Sequence, residues 1–331
     1  MILQNSITDV GNLLVGHAQN FEALTGCTVI LSPKGAVAGV SQRGGAPGTR
    51  ETDLLRPMHM VQKVHAILLA GGSAFGLDAA SGVMRWLEAK KIGYKTQAAI
   101  VPIVPSAIIY DLDLGNSKIR PDAEMGFQAC ENATNQKPDE GNYGSGTGAT
   151  VGKILGMSRA MKAGVGTSSC EVGNGAIIGA IAVVNAFGDI VDNESRKIIA
   201  GVRKSSASHS GNDTSDYFAD TLQVMDSIIG RGILSFAGKH NTVVGVIATN
   251  VQLSKEEANK FAETAADGIT LAVRPAFTMF DGDTVFSLST GNKKLNLNIL
   301  CAFAPIVFAD AIRNAVISAE PAGGLPSVKS R

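Results

Sequence analysis

The chain of 331 residues is long enough for one large or two ordinary domains, and at 45% hydrophobic and 18% charged it can bury a substantial core. Lys plus Arg equals Asp plus Glu at 29 each, and no basic run stands out, which argues against nucleic acid as the main partner. The apolar stretches AIIGAIAVVNAF (176–187) and ILCAFAPIVFA (299–309) fall short of the ~20 residues that span a bilayer, and MILQNSITDVG lacks a secretory pattern, so a cytoplasmic protein with no membrane partner is expected.

In chain order, strand-like runs fall at GCTVILS (26–32), AVAGVS (36–41) and AILLAGG (66–72), and a helical pattern follows at 75–91. Next come the strand-like runs IIGAIAVVN (177–185), VVGVIATN (243–250) and TVFSLST (284–290). Further helical patterns cover 215–229, 254–273 and about 296–318. Ser254 with Glu257 makes a capping box, Pro275 follows that helix, and Pro305 should kink or interrupt the last one. Glycine clusters at 42–52, 70–77, 142–152 and 162–169 read as tight turns. The polar stretch KSSASHSGNDTSD (204–216) reads as an exposed loop. Strands and helices mix without steady βαβ alternation, which favours an α+β layered fold over a doubly wound sheet.

The four cysteines, Cys27, Cys130, Cys170 and Cys301, form no CxxC pair and read as buried free thiols. The five histidines show no HxH or HExxH spacing, so no metal is expected, and nothing resembles a GxSxG elbow. GSGTGA (144–149) fits a dinucleotide fingerprint in letters, yet PDEGNY before it is loop-like where a strand is required. Gly152-Lys153 lacks the first glycine and the Ser/Thr of a P-loop. No cofactor is expected.

DGDT (281–284) allows three readings: a hairpin turn, a partial cation site, or a strand presenting Asp281 and Asp283 on one face with Gly282 permitting close approach. Paired carboxylates need a cationic partner, for which Lys153 is a candidate. In KHNTVVGVIATN (239–250), a threonine hydroxyl stands at the first position of an otherwise plain buried strand.

Together with TGCTVIL (25–31), AVAGVSQRGGAPGTRETDLL (36–55), HAILLAGGSAFGLDAASGVMRWLE (65–88), VPIVPSAIIYDL (101–112) and FDGDTVFSLSTG (280–291), that segment resembles the P1 family of self-cleaving hydrolases. The family includes L-aminopeptidase/D-amino-acid esterase-amidases, β-peptidyl aminopeptidases and nylon-oligomer hydrolases. The resemblance runs from about residue 6 to about 318.

It implies a single four-layer αββα sandwich like that of the N-terminal-nucleophile hydrolases, with altered connectivity. It further implies self-cleavage at Asn241–Thr242 into an α chain (1–241) and a β chain (242–331), assembled as a tetramer of αβ units. Matched by position, Thr242 corresponds to the nucleophile, Asp281 and Asp283 to the acidic pair of the nylon-oligomer branch, and Lys153 to its active-site lysine. Asn185 corresponds to the oxyanion-side asparagine and Tyr110 to a pocket tyrosine. Asn before the cut and Thr after it lean toward the nylon-oligomer branch.

The chemistry is coherent. A threonine hydroxyl is a weak nucleophile and needs a base, which the α-amine freed on the same residue can supply. Its reference pKa of about 7.7–8.0 suits proton shuttling near neutrality, and a nearby lysine would lower it. The expected activity is hydrolysis of short peptides, amino-acid amides or ω-amino-acid oligomers. The alternatives are an acyltransferase of the ornithine-acetyltransferase type, whose nucleophile motif HNTVV does not match, and a non-catalytic binding protein on the same fold.

Overall fold

In the computed structural model, which describes residues 3–204, 217–227 and 241–330, the β-branched runs become strands of one mixed sheet. These are β1 (Leu14–Asn20), β2 (Thr25–Gln42), β3 (Thr49–Arg50), β4 (Val64–Ala70) and β5 (Ser106–Ile108). They continue with β6 (Val165–Glu171), β7 (Ile177–Asn185), β8 (Thr242–Val251) and β9 (Thr284–Lys293). The spatial order is β6-β7-β8-β9-β2-β4-β5-β3, with β1 alongside β2.

The two runs expected on either side of residue 33 are a single strand. Residues 25–31 of β2 pair with β1 and 27–31 with β4, the register shifts between Leu31 and Ala36, and residues 37–42 pair with β9. The sheet thus folds over at β2, and its halves lie face to face.

Side chains alternate across a strand, and that period sorts the core into layers. Val29, Leu31, Leu68 and Ala70 pack under the helices α1 (Ala79–Ala89) and α2 (Ala123–Glu131). Their neighbours Ile30, Ile67 and Leu69 turn the other way, into the cluster that holds Val244 and Val246 of β8. After the short helix α3 (Thr221–Asp226) come α4 (Lys255–Ala272) and α5 (Leu297–Ile317), which cover the outer face of the second half-sheet. The layers therefore run α, β, β, α.

Ser254 caps α4 in the expected box with Glu257. Pro305 does not interrupt α5, which is assigned without a break. The reason is packing: α4 and α5 approach so closely that a Cβ on Gly268 would stand 2.4 Å from the Pro305 carbonyl oxygen. Neighbours on α4 hold the helix across the missing hydrogen bond. At 21 residues α5 is also, among the described residues, the one helix long and apolar enough to cross a membrane. Its most apolar window is 56% buried inside the fold.

The glycine cluster at 162–169 is mostly strand rather than turn. Gly166 sits in β6 because α5 leaves no room for a side chain there; a Cβ would meet the Ala315 nitrogen at 2.2 Å. Of the cysteines, Cys27 and Cys130 are buried, while Cys170 and Cys301 are partly exposed, and all four are free. The polar stretch at 204–216 lies, from residue 205 on, outside the described residues, as do parts of the helical pattern at 215–229.

Candidate active site

After its first residue strand β8 is apolar from Val243 to Ala248, as expected of a central strand buried on both faces. Its two neighbours deliver the site. Antiparallel β7 ends where β8 begins, which places Asn185 directly opposite Thr242. Parallel β9, reached through the α4 crossover, starts at the same edge, and its approach Asp281-Gly282-Asp283 lies beside Asn241 and Thr242. The DGDT segment is therefore not a hairpin turn but the lead-in to a parallel strand that begins at Thr284.

At the junction, Thr242 Oγ1 donates to the Asn241 carbonyl oxygen at 2.5 Å. The same oxygen accepts the Gly282 N–H at 2.8 Å. A hydroxyl and a fixed backbone donor thus converge on one carbonyl, and Thr242 itself is buried. Gly282 has no alternative residue here. A Cβ would lie 2.6 Å from the Ala46 oxygen and 2.9 Å from Thr242 Oγ1.

Both aspartates are buried. Asp283 Oδ1 accepts the Val243 N–H at 2.6 Å, one residue past the nucleophile candidate. Burial, and then the Asp281 charge, push the Asp283 carboxyl up to about 8. Asp281 accepts the N–H and hydroxyl of Thr278, each at 2.7 Å. Its pKa is raised by burial, with those bonds and Lys153 pulling the other way.

Lys153 is carried by a loop whose amides at Gly152 and Lys153 bond to Gly188 and Phe187, just beyond the end of β7. Its Nζ donates to Asn185 Oδ1 at 2.7 Å and to the Asn185 carbonyl at 2.9 Å. Desolvation lowers its pKa to about 7, against the opposing pull of Asp281, Asp113 and Asp111. The orientation of the Asn185 amide is fixed chemically. One end faces only donors, Lys153 and Thr150, and the other, Nδ2, donates to the Tyr110 carbonyl at 2.8 Å. Asn185 thus seats Lys153 and ties down the Tyr110 segment, with one amide hydrogen already used.

All six matched side chains meet at this edge of the sheet. Two features were not named from sequence. The Gly282 N–H is a backbone donor, signalled only by a glycine between two acids. A cavity of ≈ 120 Å³ beside Asn241 is lined by Tyr110, Asp111, Asp113, Lys153 and Phe187 among others. Phe187 braces Phe280 across the site, with ring centroids 5.8 Å apart.

Known proteins resemble this chain in family and in fold. Residues 5–329 match peptidase family S58. An uncharacterized aminopeptidase of Mycobacterium tuberculosis is 39% identical over 98% of this chain and 97% of its own length. A 6-aminohexanoate-oligomer endohydrolase of Agromyces sp. is 31% identical over 93% of this chain and 84% of its own. Among solved structures, the L-aminopeptidase D-Ala-esterase/amidase of Ochrobactrum anthropi, described as a variant of the Ntn hydrolase fold, superposes with a TM-score of 0.71 at 21% identity. That match covers 97% of this chain and 88% of the other. A β-aminopeptidase of Burkholderia sp. gives 0.64 at 21% identity, over 95% and 87%. The chain belongs to peptidase family S58, and its αββα layers are those of the Ntn-type aminopeptidases.

Proposed function

We propose that this peptidase makes its own active form by cutting Asn241–Thr242, and then uses Thr242 as an N-terminal nucleophile on amides. The observation that carries the reading is the Asn241 carbonyl oxygen held between Thr242 Oγ1 and the Gly282 N–H. Oγ1 adds to the Asn241 carbonyl carbon as its proton passes to the Lys153 amine, and the charge developing on oxygen falls on the Gly282 donor. The C–N bond then breaks and the Thr242 nitrogen takes a proton. Asp283, beside Val243 N and still protonated near neutrality, is the acid placed for that step. Water hydrolyses the ester, leaving a carboxylate on Asn241 and a free amine on Thr242.

In the mature site the amine takes the hydroxyl proton as Oγ1 attacks a substrate carbonyl, and later returns it to the leaving amine. Lys153 disfavours the protonated amine, and the Asp281 carboxylate opposes both positive charges. Asn185 acts chiefly by positioning Lys153, and Tyr110 shapes the pocket. The substrates proposed are short peptides, amino-acid amides or ω-amino-acid oligomers, in line with the aminopeptidase and 6-aminohexanoate-oligomer relatives. A tetramer of αβ units belongs to the same reading.

Intact-mass analysis of the purified protein tests it. Two polypeptides, the smaller beginning at Thr242 and active on amino-acid p-nitroanilides, are expected. A single inactive chain would overturn it. Gly282→Ala should slow the first cut by about 10²-fold or more, since the new methyl pushes on the nucleophile and displaces the oxyanion donor. Timed gel analysis of freshly made protein reads this directly.

Stability should report the buried acid. The Asp283 pKa is raised from 3.8 to about 8, so the unfolded state is the first to ionise. Whatever stability the neutral acid lends is complete below pH 3.8 and is lost as pH rises toward 8. Lys153, lowered from 10.5 to about 7, acts only above pH 7 and with the opposite slope. In the Thr242→Ala background, which keeps the chain whole, adding Asp283→Asn is therefore expected to flatten the fall in Tm between pH 4 and 7. An equal fall in both proteins would contradict the assignment.

A further inference from the structure

We propose that Lys162 is a positioning residue of this site: a buried ammonium that fixes the 147–150 segment and, through it, holds Lys153 as the free amine. This rests on the reading of Lys153 as the base that takes the Thr242 proton. Lys162 is wholly buried, and its Nζ donates to three backbone carbonyls, those of Thr147 at 3.1 Å, Ala149 at 2.6 Å and Ala163 at 3.1 Å. Three acceptors take the three hydrogens of an ammonium. A free amine has only two, and its lone pair would face the third carbonyl oxygen. The cradle therefore selects the charged form.

Lys153 is held in the opposite way. Among the described residues its Nζ donates to two acceptors, the carbonyl and Oδ1 of Asn185. A free amine satisfies both and keeps a lone pair for an incoming proton. Desolvation pulls each lysine down to about 7, so burial alone does not tell them apart; the acceptors do. The two positive charges also oppose each other, so a proton kept on Lys162 favours its loss from Lys153. The other charged groups acting on Lys153 are Asp281, from the lead-in to β9, and Asp111 and Asp113, from the segment after β5. Of these, Asp111 also acts on Lys162.

One peptide connects the two lysines. In a trans peptide the carbonyl and the N–H point in opposite directions. The Ala149 carbonyl faces Lys162, and the N–H of the same unit, on Thr150, donates to Asn185 Oδ1 at 3.1 Å. That oxygen also accepts Lys153 Nζ. An ammonium on the carbonyl polarises the peptide and strengthens its N–H as a donor. Asn185 is thus fixed from behind by Lys162, and Lys153 is seated on it. The Thr147 carbonyl is drawn to the same ammonium, and Gly148 and Thr150 line the cavity beside Asn241. The segment is closely packed: a Cβ on Gly148 would stand 2.2 Å from the Leu24 carbonyl oxygen.

Two measurements test the assignment. In Thr242→Ala protein labelled with carbon-13 at lysine Cε, one lysine signal should titrate between about pH 6 and 8, and Lys153→Met in that background should remove it. Lys162 should stay charged, as should Lys255, whose Nζ is likewise cradled by three carbonyls, those of Leu54, His59 and Val61. A second lysine titrating in this range, or a titrating signal that survives Lys153→Met, overturns the proposal. The other measurement is the pH profile of the first cut in Lys162→Met, followed on gels with Tm recorded. Removing the like charge lets Lys153 hold its proton, so the rising limb should move up by about one pH unit and the cut at pH 7 should slow about tenfold. Equal slowing at every pH, with the limb in place, is the result of a scaffold alone; it overturns the proposal and leaves the Thr242 reading intact. If Lys162→Met does not fold, the titration in Thr242→Ala decides. A wild type that stays uncut overturns the Thr242 reading itself, and the same titration still tests Lys162.

Discussion

Thr242→Ala should purify as one uncut chain of 34.2 kDa and should hydrolyse amide substrates at least about 10⁴-fold more slowly than the cleaved wild type. The alanine removes one atom that serves twice, as attacker of Asn241 and as attacker of substrate. The fold should hardly notice. Thr242 is the first residue of β8, its Oγ1 bonds among the described residues to the Asn241 carbonyl alone, and the strand pairing with β7 and β9 is backbone. The loss is one hydrogen bond and one methyl at the edge of the core, about 1–2 kcal/mol. Thr242→Ser keeps the hydroxyl and should be cut and active, with differences of rate only. Mass spectrometry and a p-nitroanilide assay on the three proteins decide the matter. Activity in uncut Thr242→Ala would place the nucleophile elsewhere.

How much of this was legible beforehand depended on where each signal is written. Strands β7 and β8 could be read because buried central strands carry long apolar runs, β9 from the β-branched and aromatic residues at its start, and α4 announced itself through the Ser254–Glu257 box. Strand β2 looked like two, since Ser32-Pro33-Lys34-Gly35 has the composition of a turn. In the fold that segment, with Gly35 at φ +73°, carries a single strand from one half-sheet to the other. Helix α2 was missed because AEMGFQACE holds too few large apolar residues to set up a period. Its glycine, Gly126, is there so that the helix can press against Ala79 of α1. Strand β6 was hidden by the same device at Gly166.

The site divides in the same way. From spacing alone, the two acids two apart with a glycine between them could be seen as a pair, and Lys153 as their candidate counter-charge. No local pattern marks Thr242 as more than a strand starter. Its meaning comes from Asn185 opposite and Gly282 alongside, which are 57 residues before it and 40 after it in the chain and meet only through the sheet. The Gly282 donor is backbone, so it leaves no side chain to read. Asn185 was matched as an oxyanion donor; its Oδ1 is taken by Lys153 and one amide hydrogen by the Tyr110 carbonyl, which leaves one hydrogen for that role. Competing partners of this kind are visible only once the neighbours are in place.

Lys153 provides the sharpest separation of roles, because a cation and a base make opposite demands of the same position. As a cation it would only neutralise the buried aspartates, and an arginine could do that. As a base it must give up its proton near neutrality, which desolvation permits by lowering its pKa to about 7. Before the first cut no α-amine exists, and Lys153 is then the amine of the site whose free-base form is populated at pH 7. A guanidinium remains charged throughout this range and is bulkier and planar, so it cannot take the part. Lys153→Met and Lys153→Arg are therefore both expected to accumulate as uncut chain, slowed by about 10²–10⁴-fold in the first cut. In the wild type the rate of the cut should rise with pH through about 7 and fall again as Asp283 ionises above about 8. Normal cutting in Lys153→Arg would reduce the lysine to a counter-charge and shift the search for the first base to the acidic pair. A rate that rises through pH 7 in the wild type and is lost in both variants would fix the lysine as the group that removes the Thr242 proton.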